Sequence, residues 1–259
     1  MSDYSELPFF PKNETIHLQN HPEIRVTFFE PKFSQSHYNY QNVSISSNAC
    51  TLIAVLMASY CKHEMIIINK PDKCINVRLI HLLAYSILDG NKIHENLKAN
   101  GTLDNFNLTV PEAMKFAGYR AEGLVEWVTK LTTIRPCSTK SMIYMESLFH
   151  SLYANIKTNL IEWSKTIKNK YNNPDLYIIL IADNRSVLFI LQKETVTLVD
   201  SHQHSDNKGA FIAVSSTEKF NILCLWYSHI INKCYKCDPS LYELSFLYFH
   251  NKENSQQAS

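Results

Sequence analysis

The spacing of hydrophobic and polar positions changes about two thirds of the way along the chain. Before Pro174, apolar residues recur at helical spacing, and after it they form short runs rich in β-branched residues that polar turns separate. The helical stretches are 49–60, 75–88, 111–117 and 140–170. The β-rich runs are 24–29, 176–182, 186–191, 195–200 and 210–214, and the last four predict an antiparallel meander. The pattern therefore predicts helices first and a sheet afterwards.

This order predicts one α+β domain in which a helical subdomain packs on an antiparallel sheet in two layers, with a cleft where the layers meet. Gly90 is expected to end the second helix. Thr109 and Glu112 form a capping box that begins the third, and Gly118 ends it. The expected ranges are an N-terminal extension at 1–22, a domain at 23–250 with a helical part at 49–170 and a sheet part at 176–215, and a disordered tail at 251–259.

The first of these helices carries the candidate nucleophile, Cys50. The preceding Ser46, Ser47 and Asn48 are residue types that cap helices, so Cys50 is expected in the first turn. Unpaired backbone N–H groups and the positive end of the helix dipole favour a thiolate there. The position therefore predicts a reactive cysteine rather than a small apolar filler.

A thiolate that attacks an amide also needs a base that later protonates the leaving amine. Asp200 and His202 stand two residues apart at the end of a β-rich run, so their side chains are expected on one face while Ser201 points to the other. The carboxylate can then orient the imidazole. His204 shares this face, and the pattern leaves His202 and His204 as alternative bases.

Acyl transfer further requires donors for the oxyanion, usually a backbone N–H group and a side-chain amide. Three amide side chains precede Cys50 closely enough to be candidates: Gln35, Gln41 and Asn48. Spacing alone does not choose among them.

Three blocks of the sequence resemble the deubiquitinase domain of herpesvirus large tegument proteins. They are Gln35 to Thr51, Thr197 to His202, and the Gly-Ala-Phe-Ile that starts at Gly209. The resemblance implies a papain-like cysteine peptidase fold and hydrolysis of ubiquitin or ubiquitin-like conjugates. By match to the family, Gln35, Cys50, Asp200 and His202 would be oxyanion donor, nucleophile, orienting carboxylate and base.

Composition limits the classes of binding partner that the sequence predicts. The 25 Lys and Arg residues nearly balance the 24 Asp and Glu residues, so no electrostatic footprint for nucleic acid is expected. No uninterrupted apolar run approaches the roughly 18 residues of a membrane span. Seven irregularly spaced cysteines favour reduced thiols and an intracellular site, cytoplasmic or nuclear. No cofactor is implied, and Cys224, His229, Cys234 and Cys237 match no common zinc module.

Two rival functions stay open from the sequence. One is a catalytically silent papain-like scaffold that acts as a protein-interaction module, in which the same side chains are present without alignment. The other is a thiol acyltransferase on the same fold. The peptidase hypothesis requires Cys50 and a histidine to meet in the folded chain.

Overall fold

The computed structural model describes residues 6–41, 43–45, 47–72, 74–103, 105, 107–127, 141–168 and 174–250, so the expected tail at 251–259 lies outside the described residues. The strands are β1 (Asn13–Leu18), β2 (His21–Phe29), β3 (Leu124–Trp127), β4 (Met142–Tyr144), β5 (Leu176–Ala182), β6 (Arg185–Gln192), β7 (Thr195–Asp200), β8 (Phe211–Ser216) and β9 (Tyr242–Phe249). The α-helices are α1 (Cys50–His63), α2 (Val77–Ala99), α3 (Val110–Ala117), α4 (Leu148–Trp163) and α5 (Phe220–Tyr235).

These strands form one antiparallel sheet in the order β1-β2-β8-β7-β6-β5-β9-β3, and β4 pairs with β9 beside β3. The neighbours β5, β6, β7 and β8 confirm the predicted meander. Five of the described strands, β1, β2, β3, β4 and β9, fall outside the expected sheet part at 176–215. β3 and β4 lie within the expected helical part at 49–170, and β4 shows that the stretch expected to be helical at 140–170 also contains a strand. β1 lies within 1–22 and pairs with β2 at the edge, and β9 inserts between β5 and β3.

Helices cover both faces of the sheet. Ile179 and Leu188 pack in one hydrophobic cluster with α1, α2 and α3, whereas their neighbours Ile178 and Phe189 pack in a second cluster with α4 and α5. The α+β class is thus confirmed, but the expectation of two layers is wrong and the arrangement has three. The reason is visible in β5 and β7, whose residues are almost all buried, as in a sheet with both faces covered.

The close crossing of α1 and α2 explains a helix boundary that the sequence predicts incorrectly. α2 continues through Gly90, nine residues beyond the predicted stop. A Cβ atom at Gly90 would lie only 2.6 Å from Cγ1 of Ile53 on α1. Glycine here therefore allows close helix packing, and the packing outweighs the roughly 1 kcal/mol that glycine costs inside a helix. The α3 prediction is correct, with the Thr109–Glu112 capping box present and Gly118 at φ +60°.

One end of the sheet gathers the features that form the site. Ala182 pairs with Arg185 and Leu188 pairs with Val199, so the β5–β6 turn and the end of β7 lie side by side. The first residues of α1 reach the same end, where Thr51 Oγ1 lies 2.8 Å from Ser186 Oγ. The register of three strands and the direction of one helix thus bring distant parts of the chain together.

Candidate active site

Cys50 is the first residue of α1 and is 4% exposed. The residue that caps the helix is Ala49, and no side chain provides a capping hydrogen bond. The expectation that Asn48 or a neighbouring serine caps α1 is therefore wrong. The first intrahelical bond runs from Ile53 N–H to the Ala49 carbonyl at 2.8 Å, which leaves the Cys50 N–H without an intrahelical partner.

Asp200 ends β7 and binds His202 through two hydrogen bonds. Its Oδ1 accepts the His202 backbone N–H at 2.9 Å and lies 2.7 Å from the ring Nδ1. His202 lies just beyond the strand, so this local turn, rather than strand alternation alone, brings the two side chains to one side. The carboxylate fixes the ring so that Nε2 is directed away from Asp200.

The thiol of Cys50 and the ring of His202 are close enough that each shifts the pKa of the other. Burial by itself raises the pKa of the Cys50 thiol, but the interaction with the positively charged His202 outweighs burial and lowers that pKa. Burial likewise lowers the pKa of His202, and the charge of Asp200 more than compensates and raises it. Both shifts favour a thiolate–imidazolium pair, the reactive form of a cysteine nucleophile.

Two further residues that the sequence analysis did not single out contact the thiol. The Cys50 Sγ lies 3.9 Å from the Asn184 carbonyl oxygen. The hydroxyl and the backbone N–H of Ser186 help to lower the pKa of the thiol. Asp183 and Asn184 form a tight turn with φ angles of +50° and +57°. The sequence signals a turn at Asp183-Asn184, but nothing in it indicates that the turn faces the nucleophile.

Gln35 is buried beside the end of β7. Its Nε2 donates to the Ser47 carbonyl at 3.0 Å, its Oε1 accepts from Ser201 Oγ at 2.8 Å, and its backbone N–H donates to the Ser201 carbonyl at 2.8 Å. These bonds tie Gln35 both to the segment before Cys50 and to the residue between Asp200 and His202. One amide hydrogen of Nε2 remains for a ligand oxygen.

The other two amide candidates are held differently. The Gln41 side chain is exposed on a loop, and its backbone N–H donates to Asn39 Oδ1 at 3.1 Å. Asn48 is half-buried directly before α1. Of the three amides, Gln35 is the one whose hydrogen bonds reach both sides of the site.

His204 contacts Asp200 and not Cys50. Its Nε2 lies 3.1 Å from Asp200 Oδ2, and its Nδ1 lies 2.9 Å from the Gly209 carbonyl oxygen. Asp200 therefore lies between two imidazoles, with one oxygen on each. Of the two histidines that the sequence left open, His202 is the one that reaches the thiol.

A cavity of about 870 Å³ lies between α1, α2 and the loop at 38–45. It is lined largely by tyrosines and charged residues, and neither Cys50 nor His202 lines it. Asn91 connects it to the site, because its amide donates to the Gln35 carbonyl at 2.7 Å and its Oδ1 accepts from Ser47 Oγ at 2.6 Å. This cavity is thus a neighbour of the site and not the site itself.

Among the described residues, no three His, Cys, Asp or Glu side chains group as metal ligands. No helix in the same part of the chain is long and apolar enough to cross a membrane.

No protein-family model matches the sequence, and the search of curated proteins finds no match. Solved structures with similarity include the ubiquitin-specific protease encoded by murine cytomegalovirus tegument protein M48, in complex with a ubiquitin-based suicide substrate. That match has 16% identity and a TM-score of 0.46 over 86% of this chain and 85% of that chain. Another is the Pseudomonas avirulence protein AvrPphB, at 10% identity and a TM-score of 0.39 over 77% of this chain and 91% of that chain.

Proposed function

We propose that this chain is a papain-like cysteine isopeptidase that removes ubiquitin or a ubiquitin-like modifier through an acyl-enzyme. The observation that carries the proposal is the order Cys50, His202, Asp200: Asp200 Oδ1 lies 2.7 Å from the His202 ring Nδ1, and His202 lowers the pKa of the Cys50 thiol. A thiol, an imidazole and a carboxylate in this order are the parts that amide hydrolysis by a cysteine requires. The ubiquitin-type substrate rests on the three sequence blocks that resemble the herpesvirus deubiquitinase domain.

In the proposed reaction the Cys50 thiolate attacks the carbonyl carbon that ends the modifier. The Cys50 N–H and the Gln35 amide stabilise the oxyanion, and His202 gives its proton to the leaving lysine amine as the carbon–nitrogen bond breaks. Water then attacks the thioester while His202 accepts a proton from it, and the carbon–sulfur bond breaks so that the Cys50 thiolate leaves and the modifier departs as a carboxylate. Asp200 stays ionised and holds the His202 ring in both steps.

Labelling with ubiquitin that carries a C-terminal electrophile tests the proposal. We expect wild-type protein under reducing conditions to form a covalent adduct at Cys50, identified by intact mass and peptide mapping. Cys50→Ala should form none, and Cys61→Ala should label as wild type does. Absence of an adduct with ubiquitin and with a panel of ubiquitin-like probes, while a known deubiquitinase reacts, would contradict the proposed substrate class.

The burial of Cys50 supports a second candidate, the catalytically silent scaffold. At 4% exposure, with the Asn184 carbonyl against its sulfur, Cys50 has little open surface for a substrate. The scaffold hypothesis requires that Cys50 stay unreactive even towards a small alkylating reagent such as iodoacetamide. Rapid alkylation of Cys50 would remove this candidate.

A further inference from the structure

His204 is a second imidazole on the carboxylate that orients His202. Its side chain is 1% exposed, and its two ring nitrogens are bound at 3.1 Å to Asp200 Oδ2 and at 2.9 Å to the Gly209 carbonyl oxygen. Asp200 Oδ1 is at the same time bound to His202. The carboxylate is therefore held from both sides and cannot rotate without breaking a bond to one of the two rings.

The surroundings of His204 keep its ring in this position. The rings of Phe211, Tyr235 and Phe28 pack around it with centroids 4.7, 5.7 and 6.3 Å away. The His204 backbone N–H donates to the Lys208 carbonyl at 2.8 Å. A ring enclosed in this way does not swing towards the thiol, so His204 cannot shuttle protons for the reaction.

The bonding partners also determine how many protons the ring carries. A carbonyl oxygen only accepts, so Nδ1 of His204 must donate to Gly209. Oδ1 of Asp200 already accepts the His202 backbone N–H and lies against the His202 ring, and Oδ2 faces His204 Nε2, so the carboxylate is surrounded by donors and also only accepts. Both nitrogens of His204 therefore donate, and a ring that donates twice is an imidazolium.

The other titratable or charged groups near His204 do not alter this assignment of donors. Tyr235 donates its hydroxyl to the Gln203 carbonyl at 2.9 Å. Lys208 places its ammonium 4.0 Å from the centroid of the Phe28 ring, and Arg185 lies 3.9 Å from the centroid of the Tyr235 ring. These three side chains are thus engaged with an oxygen or an aromatic face rather than with a His204 nitrogen.

We propose that His204 is a positioning residue: as an imidazolium it holds Oδ2 of Asp200, so that Oδ1 stays on His202 and keeps that ring aimed at Cys50. The role rests on the proposed cysteine peptidase function. In this proposal the Asp200 carboxylate binds two histidines: His202 moves protons, and His204 does not. Gly209 belongs to the same arrangement because its carbonyl is the second anchor of the His204 ring.

Nitrogen-15 NMR of the imidazoles in the full wild-type chain tests the protonation state without any substrate. We expect His202 and His204 each to show both ring nitrogens protonated at neutral pH, and His204→Gln to remove the one of these two signals that is better protected from exchange, because the His204 side chain is 1% exposed and that of His202 is 12% exposed. A His204 ring with one unprotonated nitrogen at neutral pH would overturn the proposal. Because this measurement uses wild-type protein, it stands even if the variant fails to fold.

Kinetics of the His204→Gln variant test the positioning role. We expect kcat on a ubiquitin-based substrate to fall about 10- to 100-fold while KM stays within about twofold, because His204 touches no substrate. His63→Gln, the same change at the far end of α1, should leave both constants unchanged. A folded His204→Gln variant with wild-type kcat would overturn the proposal.

The rate at which iodoacetamide alkylates Cys50 distinguishes failure of this proposal from failure of the proposed function. If His204 keeps the His202 ring aimed at Cys50, the His204→Gln change should slow alkylation of Cys50 at neutral pH, since a misaligned His202 stabilises the thiolate less. Wild-type protein that is alkylated rapidly but cleaves no ubiquitin-like substrate would refute only the substrate class. Equal alkylation rates in wild type and His204→Gln would refute only the role of His204.

Discussion

Helix α1 carries a buried cysteine near each end, and the two have opposite properties. Cys50 and Cys61 are 4% and 3% exposed and stand eleven residues apart, about three helical turns, so they project from nearly the same side of α1. Burial and then the charge of Asp175 raise the pKa of Cys61. At Cys50 the same effect of burial is outweighed by His202.

The difference shows that neither the helix nor burial makes a thiol reactive here. What separates the two cysteines is the end of β7, which brings Asp200 and His202 to one end of α1 only. The dipole at the first turn favours a thiolate at Cys50 by about 1 kcal/mol or less, which is a small effect beside a charged hydrogen-bonded partner. Each prediction below tests one part of that difference.

Replacing Cys50 and Cys61 in turn should give the largest difference in turnover. Cys50→Ala should lower turnover by at least about 10⁴-fold, since the attacking atom is lost, and should leave the fold intact. Cys61→Ala should keep full turnover and lower the free energy of unfolding by about 1 kcal/mol, since it leaves a small cavity. Steady-state kinetics and urea denaturation measure both effects, and turnover that survives in Cys50→Ala would identify another nucleophile.

His202→Ala should make Cys50 resemble Cys61. Turnover should fall by about 10⁴-fold, and the pKa of Cys50 should rise because burial then acts without its counterbalance. In wild type, alkylation of Cys50 should reach half its maximum rate below the usual thiol value of about 8.5. In the variant that midpoint should move above it, with exposed Cys74 as the internal reference in mass-resolved alkylation. An unchanged midpoint would exclude His202 as the partner.

Asp200→Asn should lower turnover by about 10³-fold, because the amide holds His202 less well and does not stabilise its positive charge. It should also lower the free energy of unfolding at neutral pH by about 3 kcal/mol, because His204 loses its buried counter-ion. The folded-state pKa of Asp200 is lowered, so its stabilising contribution is present above the unfolded value of about 4 and is lost as pH falls.

Urea denaturation at neutral pH and at about pH 3 measures that dependence. The stability difference between wild type and Asp200→Asn should be smaller at the acidic pH. A difference that grows on acidification would contradict an ionised Asp200.

Among the residues proposed to take part in the reaction directly, the smallest effect on turnover should come from Gln35, the proposed oxyanion donor. Gln35→Ala should lower kcat by about 10²-fold with little change in KM, the amount that one amide donor contributes to an oxyanion site. Gln41→Ala, an exposed glutamine six residues further on, is the matched control and should behave as wild type. The side-chain hydrogen bonds of Gln35 go to Ser47 and Ser201 and not to the Cys50 sulfur, so kcat should fall in Gln35→Ala while the alkylation rate of Cys50 stays unchanged. A slower alkylation would instead indicate a loss of thiolate.

The sequence predicts the local parts of this site well and their assembly poorly. The Cys50 helix, the meander and the position of Asp200 at a strand end all follow from apolar spacing and turn residues, since these signals are local. The sequence also contains a signal that helices cover both faces of the sheet, because the run from Leu176 to Ala182 is continuously apolar rather than alternating.

Contacts between distant segments could not be read in the same way. The Asn184 carbonyl at the Cys50 thiol and the Asn91 amide on Gln35 depend on the crossing of whole elements, which no short window of sequence encodes. The choice of His202 over His204 depends on which ring the 204–209 turn encloses. The prediction that Gly90 ends the second helix failed for the same reason, because the role of Gly90 is set by its contact with Ile53 on another helix.

The two halves of the site lie far apart in the sequence, so the half with His202 is synthesised well after the half with Cys50. Cys50 is synthesised about 150 residues before His202, which at roughly 5–20 residues per second corresponds to about 8 to 30 s. During that interval the growing chain carries a thiol without its base. Since β7 is held between β6 and β8, the pair forms only after the strand that follows His202 has also been made. If the proposed mechanism holds, a nascent chain is inert towards amide bonds until its sheet closes.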